Sequence, residues 1–176
     1  LLTRSVKREA RTQVSLERLD TAVHQAHGEQ GVNIMGTVDS PVESPIEDNI
    51  HWVAPAVEEI LEANPQLTYT VADIYLACAQ EQATLWTTDE GMVVTTGETD
   101  IFTGKRTMLI WLAWAEKRGT NLVSVHQDFF IEQAKLGGFS KLEVRSAVPE
   151  LKDYILSQGW QLDTIVYTRD VYGKLT

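Results

Sequence analysis

Histidine and cysteine are the side chains of this sequence that could bind a metal ion or act as a nucleophile. His24 and His27 lie about one helical turn apart, a spacing that can hold a metal, but no third ligand is near them in the sequence. We therefore interpret them as surface groups. His51 and His126 are isolated, and we predict no metal site. Cys78 lies between two alanines with no basic residue within 25 positions, which favours a core thiol over an activated nucleophile.

Five tryptophans are the other prominent side chains. They could line a ligand cleft, although filling the core or anchoring an interface is the commoner use of this residue. The sequence contains neither a Walker phosphate-binding loop nor a dinucleotide fingerprint. The tryptophans are Trp52, Trp86, Trp111, Trp114 and Trp160.

Charge is distributed unevenly along the 176 residues, which carry a formal net charge of −10. Residues 1–19 hold five bases and two acids, whereas residues 20–104 hold fifteen acids and no lysine or arginine. Residues 105–176 are nearly neutral, with ten bases and eight acids. The acidic middle would repel nucleic-acid phosphates. Only the basic N-terminal segment could touch DNA, RNA or an acidic protein, and a plain solvated helix face is an equally good interpretation.

The longest apolar run, MLIWLAWA at 108–115, is far shorter than the roughly 20 residues that span a bilayer. A single cysteine cannot form an internal disulfide, so nothing requires an oxidising compartment. We expect a soluble intracellular protein, or a component of a particle assembled inside a cell, without membrane contact.

Three segments must position these side chains. Residues 1–27 predict a basic helix that ends at Gly28, and its thin apolar stripe would be marginally stable alone. Residues 28–50 are rich in Gly, Pro and acids, which predicts an extended linker. The main domain follows from residue 51.

Periodicity and turn signals in the main domain predict helices at 54–63, 70–79, 121–136 and 149–157. Thr70 and Asp73 have the spacing of a capping box. The buried side of the third helix is predicted to carry Leu122, Val125, Phe129, Ile131 and Ala134. Strands are predicted in a hairpin around Asp89-Glu90-Gly91, at 106–115, at 139–145 and at 160–171, with 106–115 apolar on both faces and therefore central. This order is a mixed α/β sheet with flanking helices.

These elements resemble the GNAT superfamily of acyl-CoA N-acyltransferases, and more narrowly a GNAT-like protein of tailed bacteriophages. The resemblance rests on HWVAPAVEEIL at 51–61, YTVADIYLACAQEQATLW at 69–86, the MLIWLAWA strand and YILSQGW at 154–160. It covers residues 51–170, and we assign the GNAT-like domain to 51–172. It implies a mixed, mainly antiparallel sheet flanked by helices and preceded by an N-terminal helical extension.

The resemblance also implies where a site would lie. Members of the family hold the pyrophosphate of acyl-CoA in a Gly-rich turn after the central strand, but the stretch here, WAEKRGTNLVS at 114–124, retains a single glycine. The cofactor-binding candidates are Arg118, Gly119, Thr120 and Asn121, with Thr120 or Asn121 capping the next helix. The catalytic candidates are Glu116, a carboxylate that could steer a water, and Tyr154, a phenol that could protonate the thiolate. Tyr154 stands one residue before the family position, which Ile155 occupies, so a rotation of about 100° separates it from the site.

Two functions follow from this resemblance. The favoured one is a structural or interaction protein of a phage particle, in the head or near the portal, built on a fold that has lost its acyl-CoA loop. It would need no cofactor, and residues 1–50 would contact other virion proteins, with weak nucleic-acid contact by the basic helix. It would be assembled in the host cytoplasm. The alternative is a cytoplasmic N-acetyltransferase that uses acetyl-CoA and an amine.

Overall fold

A five-stranded sheet with helices on both faces forms the fold of the chain. The computed structural model describes residues 39–145, 151–163 and 165, all within the compact unit that spans residues 38–176. The elements in chain order are β1 (Val42–Glu43), α1 (Ile46–Ala63), α2 (Val71–Ala79), β2 (Ala83–Thr88), β3 (Gly91–Thr99), β4 (Arg106–Ala115), α3 (Leu122–Val125), α4 (Gln127–Leu136), β5 (Lys141–Val144) and α5 (Leu151–Ser157).

The sheet has the strand order β1-β2-β3-β4-β5. Strands β1 to β4 pair antiparallel with one another, and β5 pairs parallel with β4. The predicted mixed, mainly antiparallel sheet is therefore confirmed. The 106–115 strand was predicted to be central; it lies inside the sheet between β3 and β5, and β3 is the middle strand.

Helix α1 begins at Ile46, eight residues before the predicted start at 54. The predicted linker therefore ends early, and the prediction of extended structure up to residue 50 is wrong over 46–50, where the first turn of α1 lies; the short strand β1 precedes it. Pro45 stands at the N-cap, two acids follow in the first turn where the helix dipole favours them, and Ile46 is buried. Pro55 is tolerated inside the helix, although a proline usually marks a helix start.

Helix α2 has the predicted capping box. The backbone N–H of Asp73 donates to Thr70 Oγ1 over 3.3 Å, and the Thr70 N–H donates to Asp73 Oδ2 over 2.8 Å. These reciprocal bonds satisfy two N–H groups at the helix start, which fixes where α2 begins after the loop from α1.

The hairpin of β2 and β3 also forms as predicted, with Thr88 paired to Gly91 around the Asp89-Glu90 turn. The next pairing, β3 with β4, is irregular. Val94 pairs with Leu112 while Thr95 pairs with Ile110, so Trp111 is an extra residue in β4. This β-bulge sends Ile110 and Leu112 to opposite faces of the sheet although they are two residues apart.

Each face of the sheet has its own apolar core. Helices α1 and α2 cover the first face, whose buried residues include Val53, Val57, Ile74, Leu85, Met92, Val94 and Leu112. Helices α3 and α4 cover the second, whose buried residues are Trp86, Val93, Met108, Ile110, Leu122, Phe130 and Ala134. Full burial of such a side chain stabilises the fold by about 1.5–3 kcal/mol. Burial on both faces is why β4 is apolar throughout its length.

The helix predicted at 121–136 is divided at His126 into α3 and α4. Leu122 and Ala134 are buried as expected, but Val125 is exposed and Phe130 takes the central core position. The prediction of one continuous stripe was wrong because His126 adopts φ −108° and ψ 23°, which ends α3 and rotates α4 relative to it.

Several predicted elements lie wholly or partly outside the described residues. The basic helix at 1–27 and the first part of the linker are among them. The last predicted strand at 160–171 is described only at 160–163 and 165, where the backbone is irregular. None of the helices within the described ranges is long and apolar enough to cross a membrane.

Candidate functional site

The parallel strands β4 and β5 are paired only along the first half of β4. Pairing between β4 and β5 runs from Thr107 with Lys141 to Ile110 with Val144 and stops there. Strand β4 continues for five more residues, which have no strand partner on that edge within the part of the chain that the structure describes. The β-bulge at Trp111 coincides with this point and bends the strand. An unpaired strand edge of this kind can hydrogen-bond an extended ligand.

The turn after β4 holds the predicted site residues at the open end of this gap. Its first residue, Glu116, is exposed and is anchored through its backbone N–H, which donates to the Glu90 carbonyl over 2.9 Å. The turn closes with a 3.2 Å bond from the Thr120 N–H to the Lys117 carbonyl. Gly119 has φ +87°, a left-handed conformation that favours glycine. The Arg118 side chain is 95 % exposed and lies 4.0 Å from Glu59 Oε1.

Helix α3 begins directly after this turn, with Asn121 as its cap. Asn121 Oδ1 accepts a 3.2 Å hydrogen bond from the Ser124 N–H. Among the described residues the N–H groups of Leu122 and Val123 have no partner, so they remain available to an anion. The helix has four residues, however, and so few aligned peptides make only a small dipole. We therefore expect this helix N-terminus to bind an anion less tightly than the N-terminus of a long helix would.

A small cavity lies beside the start of α3. Its volume is about 30 Å³, the space of roughly one water molecule. It is lined by Asn121, Val123, Ser124, Val144, Ile155 and Trp160. The cavity therefore connects the site turn, β5 and α5, but no acyl chain fits in it as it stands.

Trp160 closes one side of this cavity. Its indole Nε1–H donates to Gln127 Oε1 over 2.6 Å, and Gln127 Nε2 donates to the Gln158 carbonyl over 3.4 Å. These bonds fasten the segment after α5 to the first residue of α4. The predicted Gly-aromatic step thus forms a wall, and widening the cavity requires that the Trp160–Gln127 bond break.

Tyr154, the second catalytic candidate, is an exposed residue of α5, whereas its neighbour Ile155 lines the cavity. The structure therefore brings Arg118, Gly119, Thr120, Asn121 and Glu116 together in one turn and does not bring the Tyr154 side chain into the cavity.

Glu59 is a site residue that the sequence interpretation missed. It projects from α1 and its Oε2 accepts a 2.8 Å hydrogen bond from Trp114 Nε1, in the half of β4 that β5 leaves unpaired. Arg118 lies near its other oxygen. A carboxylate is thus held beside the gap on the face opposite the cavity. No local signal could reveal it, because 55 residues separate Glu59 from Trp114.

The tryptophans divide between the two predicted uses. Trp86 is buried, and its Nε1–H donates to Thr95 Oγ1 over 2.8 Å inside the core. Trp111 packs edge-on against Tyr69, with ring centroids 5.4 Å apart. Trp114 and Trp160 border the gap and the cavity. Burial raises the pKa of the Tyr69 hydroxyl, so this phenol stays protonated at neutral pH.

The other reactive side chains have structural surroundings. Burial and the nearby Glu47 carboxylate raise the pKa of Cys78 to about 11, which agrees with a core thiol. His126 is buried, and its Nε2 has no hydrogen-bond partner among the described residues. Burial lowers the pKa of His126, while Glu90 acts in the opposite direction. Within the described ranges no three His, Cys, Asp or Glu side chains converge on a metal position.

Comparison with known proteins identifies the fold. No protein-family model matches the sequence, and no curated protein matches it. Solved structures do match. One described as a "probable acetyltransferase" has a TM-score of 0.61 at 14% identity and covers 76% of this chain and 99% of its own.

Two further matches have named activities. The ribosomal-protein-alanine N-acetyltransferase of Brucella melitensis biovar Abortus 2308 has a TM-score of 0.56 at 18% identity, covering 75% of this chain and 99% of its own. The glucosamine-6-phosphate N-acetyltransferase of Arabidopsis thaliana has a TM-score of 0.55 at 13% identity, covering 75% and 97%. The chain therefore has a GNAT-like acetyltransferase fold, as the sequence resemblance implied.

Proposed function

We propose that this chain is an N-acetyltransferase that transfers an acetyl group from acetyl-CoA to an amine. The observation that carries the proposal is the gap beside β4, which continues for five residues past its pairing with β5 and leads into a turn whose following N–H groups, those of Leu122 and Val123, have no partner among the described residues. Such an edge can bind an extended acyl arm, and such a turn can bind phosphate. The fold shared with two N-acetyltransferases supports the same conclusion.

The residues present suit the phosphates of acetyl-CoA better than its acyl arm. The N–H groups of Leu122 and Val123 and the exposed Arg118 guanidinium would hold the pyrophosphate, with Gly119 allowing the backbone to approach closely. The cavity beside α3 has room for a single water, so the arm requires Trp160 to move away from Gln127. We therefore expect acetyl-CoA to bind weakly, with a dissociation constant in the micromolar range or higher.

The reaction forms a carbon–nitrogen bond on the amine and breaks the carbon–sulfur bond of the thioester. One proton leaves the amine and one reaches the departing sulfur. Both carboxylates are exposed, but Glu59 is the better placed to accept the amine proton, because Trp114 holds one of its oxygens beside the gap. Tyr154 would have to turn toward the cavity to protonate the sulfur, and water is the other donor.

Titration with acetyl-CoA by calorimetry tests the binding half of this proposal. Wild-type protein should bind, and Arg118→Glu should abolish binding, because the change places a carboxylate where the phosphates would lie. Lys117→Glu is the matched control, since it makes the same charge change one residue earlier in the turn and should weaken binding far less. Absence of binding by the wild type at millimolar acetyl-CoA would refute the proposal.

Turnover with primary amines tests the catalytic half. Free thiol release from acetyl-CoA should depend on the amine, and Glu59→Gln should lower kcat/KM about 100-fold, the size of a typical general-base effect. Glu58→Gln, on the neighbouring position of α1, should leave turnover unchanged. Equal rates for the two variants would remove Glu59 from the mechanism, and equal loss in Glu116→Gln would transfer the role to Glu116.

A virion-associated interaction protein is the second candidate function. The observation that favours it is the poor provision for acyl-CoA, with a four-residue α3 whose cap occupies one N–H group and a cavity of about 30 Å³. In this case residues 1–50 would bind other virion proteins, and the basic segment at 1–19 would add a weak contact to nucleic acid. This function would be established instead if the wild type does not bind acetyl-CoA and its residues 1–50 bind purified virion proteins.

A further inference from the structure

The segment that follows α5 directs one large side chain into the domain. Residues 156–159 and 161–163 are exposed, whereas Trp160 between them is half-buried and packs against the core on the second face of the sheet. A salt bridge between Lys141 and Asp163 also joins this segment to β5, but its partners are partly exposed and such surface pairs contribute little. The position of the segment therefore depends mainly on the contacts of Trp160.

One glutamine side chain holds this segment from α4. Gln127 Oε1 accepts the 2.6 Å hydrogen bond from the indole of Trp160, and Gln127 Nε2 donates the longer 3.4 Å bond to the Gln158 carbonyl. Between these two partners lies Gly159, which has φ +87° and no atom within 4 Å of the place where a Cβ would stand. A glycine with open space around it allows the chain to change direction there. The segment thus has a fixed contact at Trp160 and a permissive joint directly before it.

Trp160 lies on the path that the acyl arm of acetyl-CoA would take. The cavity that it lines also touches Val144, where the pairing of β5 with β4 stops, and Asn121, at the start of α3. A ligand that binds both the turn before α3 and the free edge of β4 has to pass between these two points. With the indole in place, the space there is about 30 Å³, which holds one water molecule rather than a chain of atoms. The side chain that fixes the segment is therefore also the one that closes this passage.

We propose that Trp160 is a gate to the acyl-arm site and that its hydrogen bond to Gln127 is the latch that keeps the gate closed. This inference rests on the proposed acetyltransferase function. Acetyl-CoA binds the open form, in which the indole has left Gln127, so the apparent dissociation constant is the intrinsic constant divided by the fraction of open molecules. A change that weakens the closed form alone therefore tightens the binding of acetyl-CoA.

Gln127→Leu weakens the closed form in this way. The change removes the acceptor of the indole N–H and leaves the bulk of Trp160 in place. One neutral hydrogen bond corresponds to about 2- to 12-fold in an equilibrium constant, so this variant should bind acetyl-CoA about 2- to 12-fold more tightly than the wild type. Gln133→Leu is the matched control, because it makes the same change on α4 at a side chain that has no hydrogen bond within the described ranges, and its affinity should equal that of the wild type.

Calorimetry with three ligands and NMR of the indole test the gate in the full chain. Gln127→Leu should tighten the binding of acetyl-CoA and of pantetheine, which is the arm alone, but not that of inorganic pyrophosphate, which need not pass Trp160. The indole N–H resonance of Trp160 is assigned as the one absent from the spectrum of Trp160→Phe. Its hydrogen exchange should be slow in the free wild type, and it should become faster in Gln127→Leu and in the wild type saturated with acetyl-CoA.

The outcomes separate failure of the gate from failure of the acetyltransferase proposal. The gate is overturned, and the acetyltransferase proposal stands, if acetyl-CoA binds while the exchange of the Trp160 indole stays slow. Equal affinity of Gln127→Leu and the wild type for acetyl-CoA, or equal tightening in Gln133→Leu, has the same meaning. Binding of acetyl-CoA by Gln127→Leu alone would support the gate. If Gln127→Leu releases its indole and still does not bind acetyl-CoA, both proposals are overturned.

Discussion

Gly91→Ala should destabilise the fold strongly, because the first residue of β3 lies against the end of β4. A Cβ atom at position 91 would stand 2.1 Å from the Trp114 carbonyl oxygen and 2.9 Å from the Ala115 Cα. Both are backbone atoms in the central strand and cannot turn aside as a side chain would. The strands must therefore separate locally by an ångström or more.

The size of the loss follows from what that separation breaks. It disrupts the terminal pairing of Gly91 with Ala115 and strains the neighbouring bond from the Glu116 N–H to the Glu90 carbonyl. A backbone hydrogen bond contributes about 1 kcal/mol, and forced overpacking costs about 1–3 kcal/mol. We expect the free energy of unfolding to fall by about 2–4 kcal/mol.

Urea denaturation measures this loss, with Gly104→Ala as the matched control. Gly104 also has a positive φ, of +68°, but a Cβ there would meet nothing within 4 Å, so the left-handed conformation alone should cost about 1–2 kcal/mol. The effect of alanine on the unfolded chain is the same in both variants and cancels. If the two variants unfold at the same urea concentration, close approach to β4 is not what position 91 requires.

Two titratable groups give further predictions. Because burial lowers the pKa of His126, the unfolded chain binds more protons below about pH 6.5, and the free energy of unfolding should fall as the pH drops through that value, by at most about 1.4 kcal/mol per pH unit. His126→Gln should reduce that slope, and urea denaturation across this pH range measures it; an unchanged slope would contradict the assignment. With a pKa of about 11, the Cys78 thiol should react with an aromatic disulfide reagent only slowly at neutral pH and rapidly in urea, and fast reaction of the native protein would contradict the assigned burial.

The elements that the sequence predicted well are those specified by local chemistry. Thr70 and Asp73 define the start of α2 through their own side chains, and the turn at Asp89 and Glu90 is closed by the pairing of Thr88 with Gly91. The apolar run of β4 indicated a strand buried on both faces. In each case the physical cause lies within a few residues of the element.

The features that the sequence did not predict depend on distant contacts. Strand β1 forms because Val42 and Glu43 pair with Thr87 and Trp86, more than forty residues away. The position of Glu59 depends on its bond to Trp114. The break at His126 places both Leu122 and Phe130 in the same core, which the periodicity of one continuous helix did not predict. The turn at 116–121 was located from the family resemblance, whereas the cavity beside it depends on contacts of α3 with β5 and with the segment after α5.

The extra residue in β4 lies outside the pairing register of the sheet. Deletion of Trp111 would join Ile110 directly to Leu112, and these two residues already pair with consecutive residues of β3, so both would keep their partners and their faces. The deletion would remove the bend of the strand and the contact of Trp111 with Tyr69, but Trp114 would stay on the face from which it reaches Glu59. Position 111 is thus a place in β4 where the chain can change in length without changing its register.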